Sequence, residues 1–252
     1  MVSAMLTPAP YPLRAHRSTC KAARVRACIV IPALDAEATI GGVVAELRRT
    51  LPDHPIVVVD DGSRDRTSAV ARELGCEVVV HEANRGKGAA LRTGFEAARA
   101  AGHTVALTVD ADGQHPAEDA KRVLLASDDE GALVLGVRAL ARDGAPRKNI
   151  FSNGISNYFL SRFARRPLHD TQCGLRRYPI APTLALGTHG TGYEFEAEVL
   201  LRAIWAGLNV VEVPIRVVYP EDRVTHFRIG RDVRRIIVAV VTATVEHARG
   251  KA

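Results

Sequence analysis

The sequence has few aromatic residues and few cysteines. Phe, Trp and Tyr make up 5% of its 252 residues, so the core must be built mainly from aliphatic side chains. The four cysteines lie far apart and form no CxxC pair, which is typical of reduced thiols in a cytosolic protein and argues against a disulfide framework or a zinc site. The hydrophobic share of 47% and the charged share of 25% are ordinary for a soluble globular protein.

The sequence also lacks a long apolar run. A membrane span needs about 18 apolar residues, and the run at residues 236–241 is much shorter. Residues 1–26 contain five basic residues and no acidic residue, but they lack the apolar region of a signal peptide. This segment is either a disordered tail or a basic tether to anionic lipid. We expect a cytoplasmic protein, with peripheral attachment to the cytoplasmic face of a membrane left open.

The net charge is +6 and the sequence pI is about 9.4. Such a surplus suits a nucleic acid, an anionic membrane surface or phosphate-bearing substrates. The basic residues have no interleaved aromatics and match no nucleic-acid motif, so a nucleic-acid partner is not expected. No feature of the sequence indicates an oligomeric state.

Short apolar runs alternate with helical segments through the first half of the chain, at residues 27–31, 56–59, 78–80, 105–109 and 133–137. This alternation predicts an α/β fold with a Rossmann-like, mostly parallel sheet flanked by helices. The second half is less regular and predicts a mixed α+β arrangement. Ligands bind outside the carboxyl ends of such strands, so the loops that follow them are expected to converge on one crevice.

Asp110 and Asp112 directly follow the fourth apolar run. Side chains at positions i and i+2 of a continued strand share a face, so both carboxylates can reach one ion. Hard oxygen ligands suit Mg²⁺ or Mn²⁺, and a substrate diphosphate can complete the shell. The alternative is a solvated turn, because Asp and Gly are turn formers.

Two further segments carry candidate ligands. Asp60 and Asp61 end the second apolar run, where carboxylates accept hydrogen bonds from ribose or base, whereas Ser63 or Asp65 can cap the helix that follows. Lys87 lies in a Gly-rich segment that is not a Walker A loop, because Gly follows the lysine. Lys87 either contacts substrate directly or is an exposed cation at a helix start.

Six segments occur together in a fixed order: PALDAE (32–37), VVVDDGSRDRT (57–67), NRGKGAALRTG (84–94), VDADGQH (109–115), GVR (136–138) and DTQCGLR (170–176). In combination they resemble family 2 glycosyltransferases with a GT-A fold, and among these the polyprenyl- or dolichyl-phosphate mannosyl- and glucosyltransferases. The resemblance covers about four-fifths of the chain. It divides the chain into a basic tail (1–26), a GT-A domain (27–228) and a C-terminal amphipathic helix (229–252).

The resemblance implies a role for each matching residue. Pro32, Leu34 and one of Asp60 or Asp61 would line the nucleoside pocket. Asp110, Ala111 and Asp112 would contact ribose, diphosphate and metal, with Asp112 as the principal metal ligand. Gln114 would face the sugar or the acceptor phosphate, Arg138 would bind phosphate, and Asp170 belongs to the acceptor-side motif. A loop at residues 223–228 resembles one that closes over the donor, where His226 would contact diphosphate or metal.

The segment PALDAE departs from the family pattern PxYNEE. Leu34 replaces the usual aromatic residue and Asp35 replaces the asparagine. Of the two glutamates in the pattern, only Glu37 remains. UDP- and GDP-hexoses therefore both remain open as donors.

The acceptor determines which catalytic group is needed. A phosphate monoester is already an anion and needs cations rather than a base, and the second half offers several, Arg176 and Arg223 among them. A hydroxyl acceptor would need a base, for which Glu194 and Glu196 are the leading candidates. We therefore predict inverting, metal-dependent transfer to a polyprenyl phosphate, with a hydroxyl acceptor or a non-catalytic nucleotide-sugar-binding subunit as alternatives.

Overall fold

The structure, a computed structural model, describes residues 26–218 and 229–250. Nearly all of the predicted basic tail lies outside these ranges, as do the predicted loop residues Arg223 and His226. The described strands are β1 (Ala27–Ala33), β2 (Ile56–Asp60), β3 (Glu77–Val80), β4 (Val105–Thr108), β5 (Leu133–Arg138), β6 (Arg176–Pro179) and β7 (Val210–Ile215). The described helices are α1 (Glu37–Thr50), α2 (Thr67–Glu73), α3 (Lys87–Ala100), α4 (Ala117–Leu124), α5 (Arg147–Ala164), α6 (Ile180–Ala185), α7 (Glu194–Trp205) and α8 (Ile229–Ala248).

The seven strands form one sheet in the order β3-β2-β1-β4-β6-β5-β7. All neighbouring strands are parallel except around β6, which runs antiparallel to both β4 and β5. This arrangement confirms the predicted mostly parallel sheet. The antiparallel β6 joins the second half of the chain to the first within the same sheet.

Both faces of the sheet are covered by helices. Alternate residues of β1 point to opposite faces, so that Ile29 and Ile31 pack towards α1 and α4, while Val30 packs towards α3. On the second face, the Phe95 ring of α3 lies 5.0 Å from the ring of Tyr178, measured between centroids. This aromatic contact joins α3, from the first half of the chain, to β6, from the second half.

The C-terminal helix α8 packs against α7 and α5. Ile236, Val240 and Ala243 are buried in this contact, whereas Ile237 and Val241 point outward. One side of helix α8 therefore packs on its own domain. None of the helices within the two described ranges is long and apolar enough to cross a membrane.

The starts of the first two helices follow from local hydrogen bonds. Helix α1 begins at Glu37, and Thr39 lies inside it with its hydroxyl donating to the Ala36 carbonyl. Helix α2 begins at Thr67 because the carboxylate of Asp65 accepts the Thr67 amide, which places Asp65 before the first turn. The short helix α6 was not predicted from the sequence.

Candidate active site

A cavity of about 860 Å³ opens at the carboxyl ends of β1, β4 and β5. Its volume lies in the range of about 300–1,000 Å³ that is common for small-molecule sites. Nine of the predicted site residues line it: Pro32, Leu34, Asp61, Lys87, Asp110, Ala111, Asp112, Gln114 and Arg138. Four others do not line it: Glu37, Asp60, Asp170 and Arg176.

The loop after β1 is hydrogen-bonded to the loop after β2. Asp35 has a left-handed backbone with φ of 48°, and its carboxylate accepts the Arg64 amide at 2.8 Å. The amide of Asp35 in turn donates to Ser63 Oγ at 2.9 Å. Glu37 accepts the Arg66 amide at 3.0 Å. Glu37 was predicted to bind the nucleotide sugar, and the structure corrects this, because its carboxylate joins the two loops instead.

The adjacent carboxylates of Asp60 and Asp61 have different environments. Asp60 is buried behind the cavity wall, where it accepts a hydrogen bond from the Ser68 hydroxyl, so its predicted ligand contact is wrong. Asp61 lines the cavity and accepts the backbone amides of Arg85 at 2.9 Å and Gly86 at 2.7 Å. Asp61 therefore also holds the Gly-rich loop in place.

The Gly-rich loop requires glycine at its turn. Gly86 has a φ of 98°, and a Cβ there would lie 2.4 Å from the Thr191 carbonyl oxygen. This close approach places the start of α3 against the segment before α7. Lys87, the first residue of α3, consequently extends its side chain into the cavity.

Lys87 bridges two carboxylates of the cavity. Its Nζ lies 2.7 Å from Asp110 Oδ1 and 3.3 Å from Glu196 Oε1. Burial acts to lower the pKa of Lys87, but the two carboxylates outweigh it and raise that pKa. Burial likewise acts to raise the pKa of Asp110, but the nearby positive groups, Lys87 foremost, hold it below its usual range. Both groups therefore stay charged at neutral pH.

The carboxylates of Asp110 and Asp112 provide the hard oxygen donors that Mg²⁺ or Mn²⁺ prefers. Both line the cavity. One Asp112 oxygen accepts a hydrogen bond from the backbone amide of Gln114 at 3.0 Å, which fixes the direction of the Asp112 side chain. A Cβ at Gly174 would lie 2.3 Å from Asp110 Oδ2, so this glycine leaves room for the carboxylate. Within the described ranges no three His, Cys, Asp or Glu side chains cluster as metal ligands. The donor set thus fits a cation that is shared with a substrate diphosphate.

Arg138 is held by a buried carboxylate. Its Nε and Nη2 donate to the two oxygens of Asp170 at 2.7 and 3.0 Å, and its backbone amide donates to the same side chain at 3.1 Å. Asp170 is 0% exposed. The buried carboxylate of Asp170 does not line the cavity and holds Arg138 in place; its catalytic role, expected from the acceptor-side motif, stays a prediction. The guanidinium of Arg138 lines the cavity, as a phosphate ligand should.

Arg176 was predicted to bind the acceptor phosphate, and the structure contradicts this. The residue is 0% exposed, and its guanidinium donates to the carbonyl oxygens of Cys173 at 2.7 Å, Glu196 at 2.8 Å and Thr171 at 2.8 Å. All three acceptors are backbone carbonyls, two in the DTQCG segment and one in α7. Arg176 therefore stabilises the junction between the DTQCG segment and α7.

The two glutamates proposed as bases have separate positions. Glu194 accepts the amides of Thr191 and Gly192 at 3.0 and 2.9 Å and does not line the cavity. Glu196 lines the cavity next to Lys87. Of the two, only Glu196 is placed to meet a ligand.

Two ionisable groups were missed by sequence reasoning: Tyr193, which lines the cavity, and His115, which does not line it. Lys87 Nζ lies 5.7 Å from the centroid of the Tyr193 ring, which also lines the cavity. Burial raises the pKa of Tyr193 to about 12, so its hydroxyl is neutral. His115 is buried behind the acid pair, and burial lowers its pKa to about 4. The only available signal for His115 was its place in the VDADGQH segment.

A mostly parallel sheet flanked by helices, with a carboxylate pair after β4 and a cavity-lining arginine at the end of β5, is the arrangement expected of a GT-A glycosyltransferase. Residues 28–178 match the family described as Glycosyl transferase family 2. The chain is 31% identical over 243 residues to polyprenol monophosphomannose synthase of Mycolicibacterium smegmatis, which covers 89% of this chain and 91% of that protein. The chain belongs to glycosyltransferase family 2.

Two further comparisons agree with this assignment. The chain is 31% identical to UDP-N-acetylglucosamine--dolichyl-phosphate N-acetylglucosaminyltransferase of Methanococcus voltae, over 77% of this chain and 86% of that protein. The fold also matches glucosyl-3-phosphoglycerate synthase from Mycobacterium tuberculosis, solved with Mn²⁺, UDP and phosphoglyceric acid. The TM-score is 0.70 at 22% identity, over 88% of this chain and 79% of that one. At this identity the structural match supports the fold alone.

Proposed function

We propose that this glycosyltransferase transfers a hexose from a UDP- or GDP-sugar to a polyprenyl phosphate. The observation that carries the proposal is the position of Arg138, fixed by Asp170 in the same cavity as Asp110 and Asp112. The names of the Mycolicibacterium and Methanococcus relatives, which specify polyprenol and dolichyl-phosphate acceptors, support it.

At the donor end, Asp112 and Asp110 would hold Mg²⁺ or Mn²⁺ together with the donor diphosphate. When bound, such a cation neutralises negative charge on the leaving nucleoside diphosphate. Arg138 orients the diphosphate by charge-assisted hydrogen bonds. Pro32, Leu34 and Asp61 line the part of the cavity that the nucleoside would occupy.

At the acceptor end, the phosphate needs no general base, because it is an anion near neutral pH. Lys148, Arg231 and Arg235 line the cavity and supply positive charge for it. The acceptor oxygen attacks the anomeric carbon from the face opposite the leaving group, which inverts its configuration. Gln114, also on the cavity wall, is placed to orient the sugar or the acceptor phosphate.

The acceptor chemistry also suggests a location. A polyprenyl phosphate resides in a bilayer, so we place the enzyme on the cytoplasmic surface of a membrane as a peripheral protein. In this arrangement the GT-A domain at residues 27–228 carries the chemistry, and the C-terminal helix at residues 229–252 contributes to the acceptor side.

A hydroxyl acceptor is the second candidate. Its support is Glu196, whose carboxylate lines the cavity and could accept a proton. However, Lys87 lies 3.3 Å from Glu196 Oε1 and would have to move before that oxygen could serve as a base.

A matched pair of acceptors tests the proposal. Undecaprenyl phosphate and undecaprenol share one chain and differ only in the phosphate, so each is incubated with Mn²⁺ and tritiated UDP- or GDP-hexose. We expect labelled lipid from the phosphate alone, and the anomeric proton coupling of the product reports inversion. Product from undecaprenol alone would refute the phosphate acceptor and favour Glu196.

The variant D112N and a control variant test the metal site in the same assay. D112N keeps the shape of the side chain but removes its charge, and we expect turnover to fall by at least about 100-fold. The exposed Asp128 does not line the cavity, so D128N serves as the matched control with turnover unchanged. Equal activity of D112N and wild type with Mn²⁺ would contradict the assigned metal site.

A further inference from the structure

A second, smaller cavity lies between α5 and α8, and we call it the α5–α8 groove. Its volume is about 110 Å³. Phe159 and Phe163 form one wall from α5, and Val233, Val240 and Val241 form the other from α8. The groove therefore offers dispersion contacts to an apolar ligand and almost no hydrogen bonds.

The groove is continuous with the active-site cavity. Ser152, Ser156, Gln172 and Ile236 line both. The three polar residues form the boundary, since Gln172 Nε2 donates to Ser152 Oγ at 3.3 Å and the Ser156 hydroxyl lies 2.8 Å from that of Thr171. A ligand that crosses this boundary passes from polar to apolar surroundings within a few ångströms.

The polar side of the boundary is adjacent to the cations that we assign to the acceptor phosphate. Lys148 lies one helical turn before Ser152 on α5, and Arg235 directly precedes Ile236 on α8; both cations line the active-site cavity. An acceptor phosphate bound by these cations therefore lies close to the entrance of the groove. This arrangement is complementary to an amphiphile whose charged head is joined directly to an apolar chain.

The volume limits how much of a chain the groove holds. An apolar cavity of about 150 Å³ accommodates benzene, so 110 Å³ provides room for about one five-carbon unit. Three of the apolar side chains that line the groove are themselves exposed and form its rim: Phe159 on α5 and Ile237 and Val241 on α8. A longer chain would leave the groove over this apolar rim rather than into a charged surface.

We propose that the α5–α8 groove binds the phosphate-proximal isoprene unit of the acceptor lipid and thereby selects chains that extend past it. This inference rests on the proposed lipid-phosphate function and adds the site at which the chain is recognised. Because the groove is apolar, recognition depends on the filling of its volume, not on hydrogen bonds to the chain.

The test compares two acceptors and three variants of the full chain. Methyl phosphate, the short acceptor, has no isoprene unit to place in the groove, whereas geranylgeranyl phosphate, the long one, has such a unit next to its phosphate and extends over the rim. V241W and I237W place a bulky side chain at the groove wall, where Val241 is 49% and Ile237 47% exposed. V238W adds the same bulk at a residue that is 55% exposed and does not line the groove, so it is the matched control.

The measured quantity is the ratio of kcat/KM for the long acceptor to that for the short one. We expect this ratio to fall by at least about tenfold in V241W and I237W, equivalent to the loss of about two buried methylene groups, and to stay unchanged in V238W. Melting curves of the three variants confirm that each is folded.

Other outcomes overturn the assignment in distinguishable ways. If all three variants change the ratio equally, the chain is recognised by the general apolar surface and not by the groove. If none changes it while lipid phosphates remain substrates, the groove proposal alone is wrong. If neither acceptor is glycosylated by the wild type under any donor, the proposed function fails, and the groove assignment fails with it.

Discussion

Removing the charge of Asp170 tests whether this residue acts through Arg138. The D170N variant keeps the size of the side chain but loses the carboxylate that holds the guanidinium at 2.7 and 3.0 Å. Asp170 is 0% exposed and the Arg138 side chain is 14% exposed, so water replaces the lost partner poorly. Breaking a buried ion pair in this way costs about 3–5 kcal/mol.

The structure narrows the expected loss of stability in D170N. Asn can still accept one hydrogen bond, so we expect the lower end, about 3 kcal/mol, which corresponds to a fall in Tm of about 6–12 °C for a domain of this size. Loss of one oriented donor to the leaving diphosphate lowers kcat by about 100- to 1,000-fold. The activity loss should appear mainly in kcat for the donor, because the nucleoside contacts are unchanged.

A double-mutant cycle with R138Q separates positioning from general damage. If the two side chains act as a unit, the double variant loses less stability than the sum of the single variants, with a coupling energy of about 2 kcal/mol. Urea unfolding and steady-state kinetics are measured for all four proteins. Additive losses, or a D170N enzyme with normal kcat, would show that Asp170 does not act through Arg138.

Three further predictions concern single residues. G174A places a Cβ 2.3 Å from Asp110 Oδ2 and 2.7 Å from Lys87 Nζ, so its turnover should fall by at least about tenfold while its far-UV circular dichroism stays unchanged. The control variant G154A, whose Cβ meets nothing within 4 Å, should stay active. Equal activity of G174A and G154A would refute the close packing at Gly174. R176M removes three buried hydrogen bonds to backbone carbonyls and should lower Tm by about 6–12 °C without raising the acceptor KM, whereas the exposed R234M should change neither quantity. A selective rise in the acceptor KM of R176M would restore Arg176 as a ligand. Burial lowers the pKa of His115 to about 4, so its contribution to stability is fully present above the unfolded pKa of 6.5 and is lost as pH falls towards 4. Urea unfolding should show about 2 kcal/mol of this loss between pH 7.5 and pH 5 in the wild type but not in H115N. Identical pH profiles of the two proteins would refute the prediction.

The sheet and the position of the cavity could be predicted because they depend on local patterns. Parallel strands bring their carboxyl ends to one edge of the sheet, so Asp61, Asp110 and Arg138, which lie at the ends of three apolar runs, were expected to meet. The free thiols among the described residues, Cys28, Cys76 and Cys173, also agree with the prediction of reduced cysteines.

The roles of individual charged residues could not be predicted in the same way. Arg176 and Arg138 both follow apolar segments and both belong to motifs of the family, yet one is buried against carbonyl groups and the other lines the cavity. The difference arises from the antiparallel pairing of β6 between β4 and β5, which turns Arg176 into the interior. Strand order is a long-range property, and the local sequence around Arg176 carries no sign of it.

Glu37 and Asp60 failed as ligands for a related reason. Loops that converge on a crevice need their own backbone amides satisfied, and short acidic side chains meet that need well. Glu37 accepts the Arg66 amide and Asp60 the Ser63 amide at 2.8 Å. An acid-rich loop at a strand end therefore contains both ligands and supports, and only the positions of neighbouring amides separate them.

Lys87 shows how the two kinds of residue combine in one site. Asp61 fixes the amides of the Gly-rich loop, the loop places Lys87, and Lys87 lies between Asp110 and Glu196. The ammonium group therefore compensates carboxylates that would otherwise repel one another in a largely buried cavity. A divalent cation bound by Asp110 would take over that compensation and leave Lys87 available to Glu196 or to a donor phosphate. The charge balance of the cavity thus links the loop after β2, the Gly-rich loop and α7.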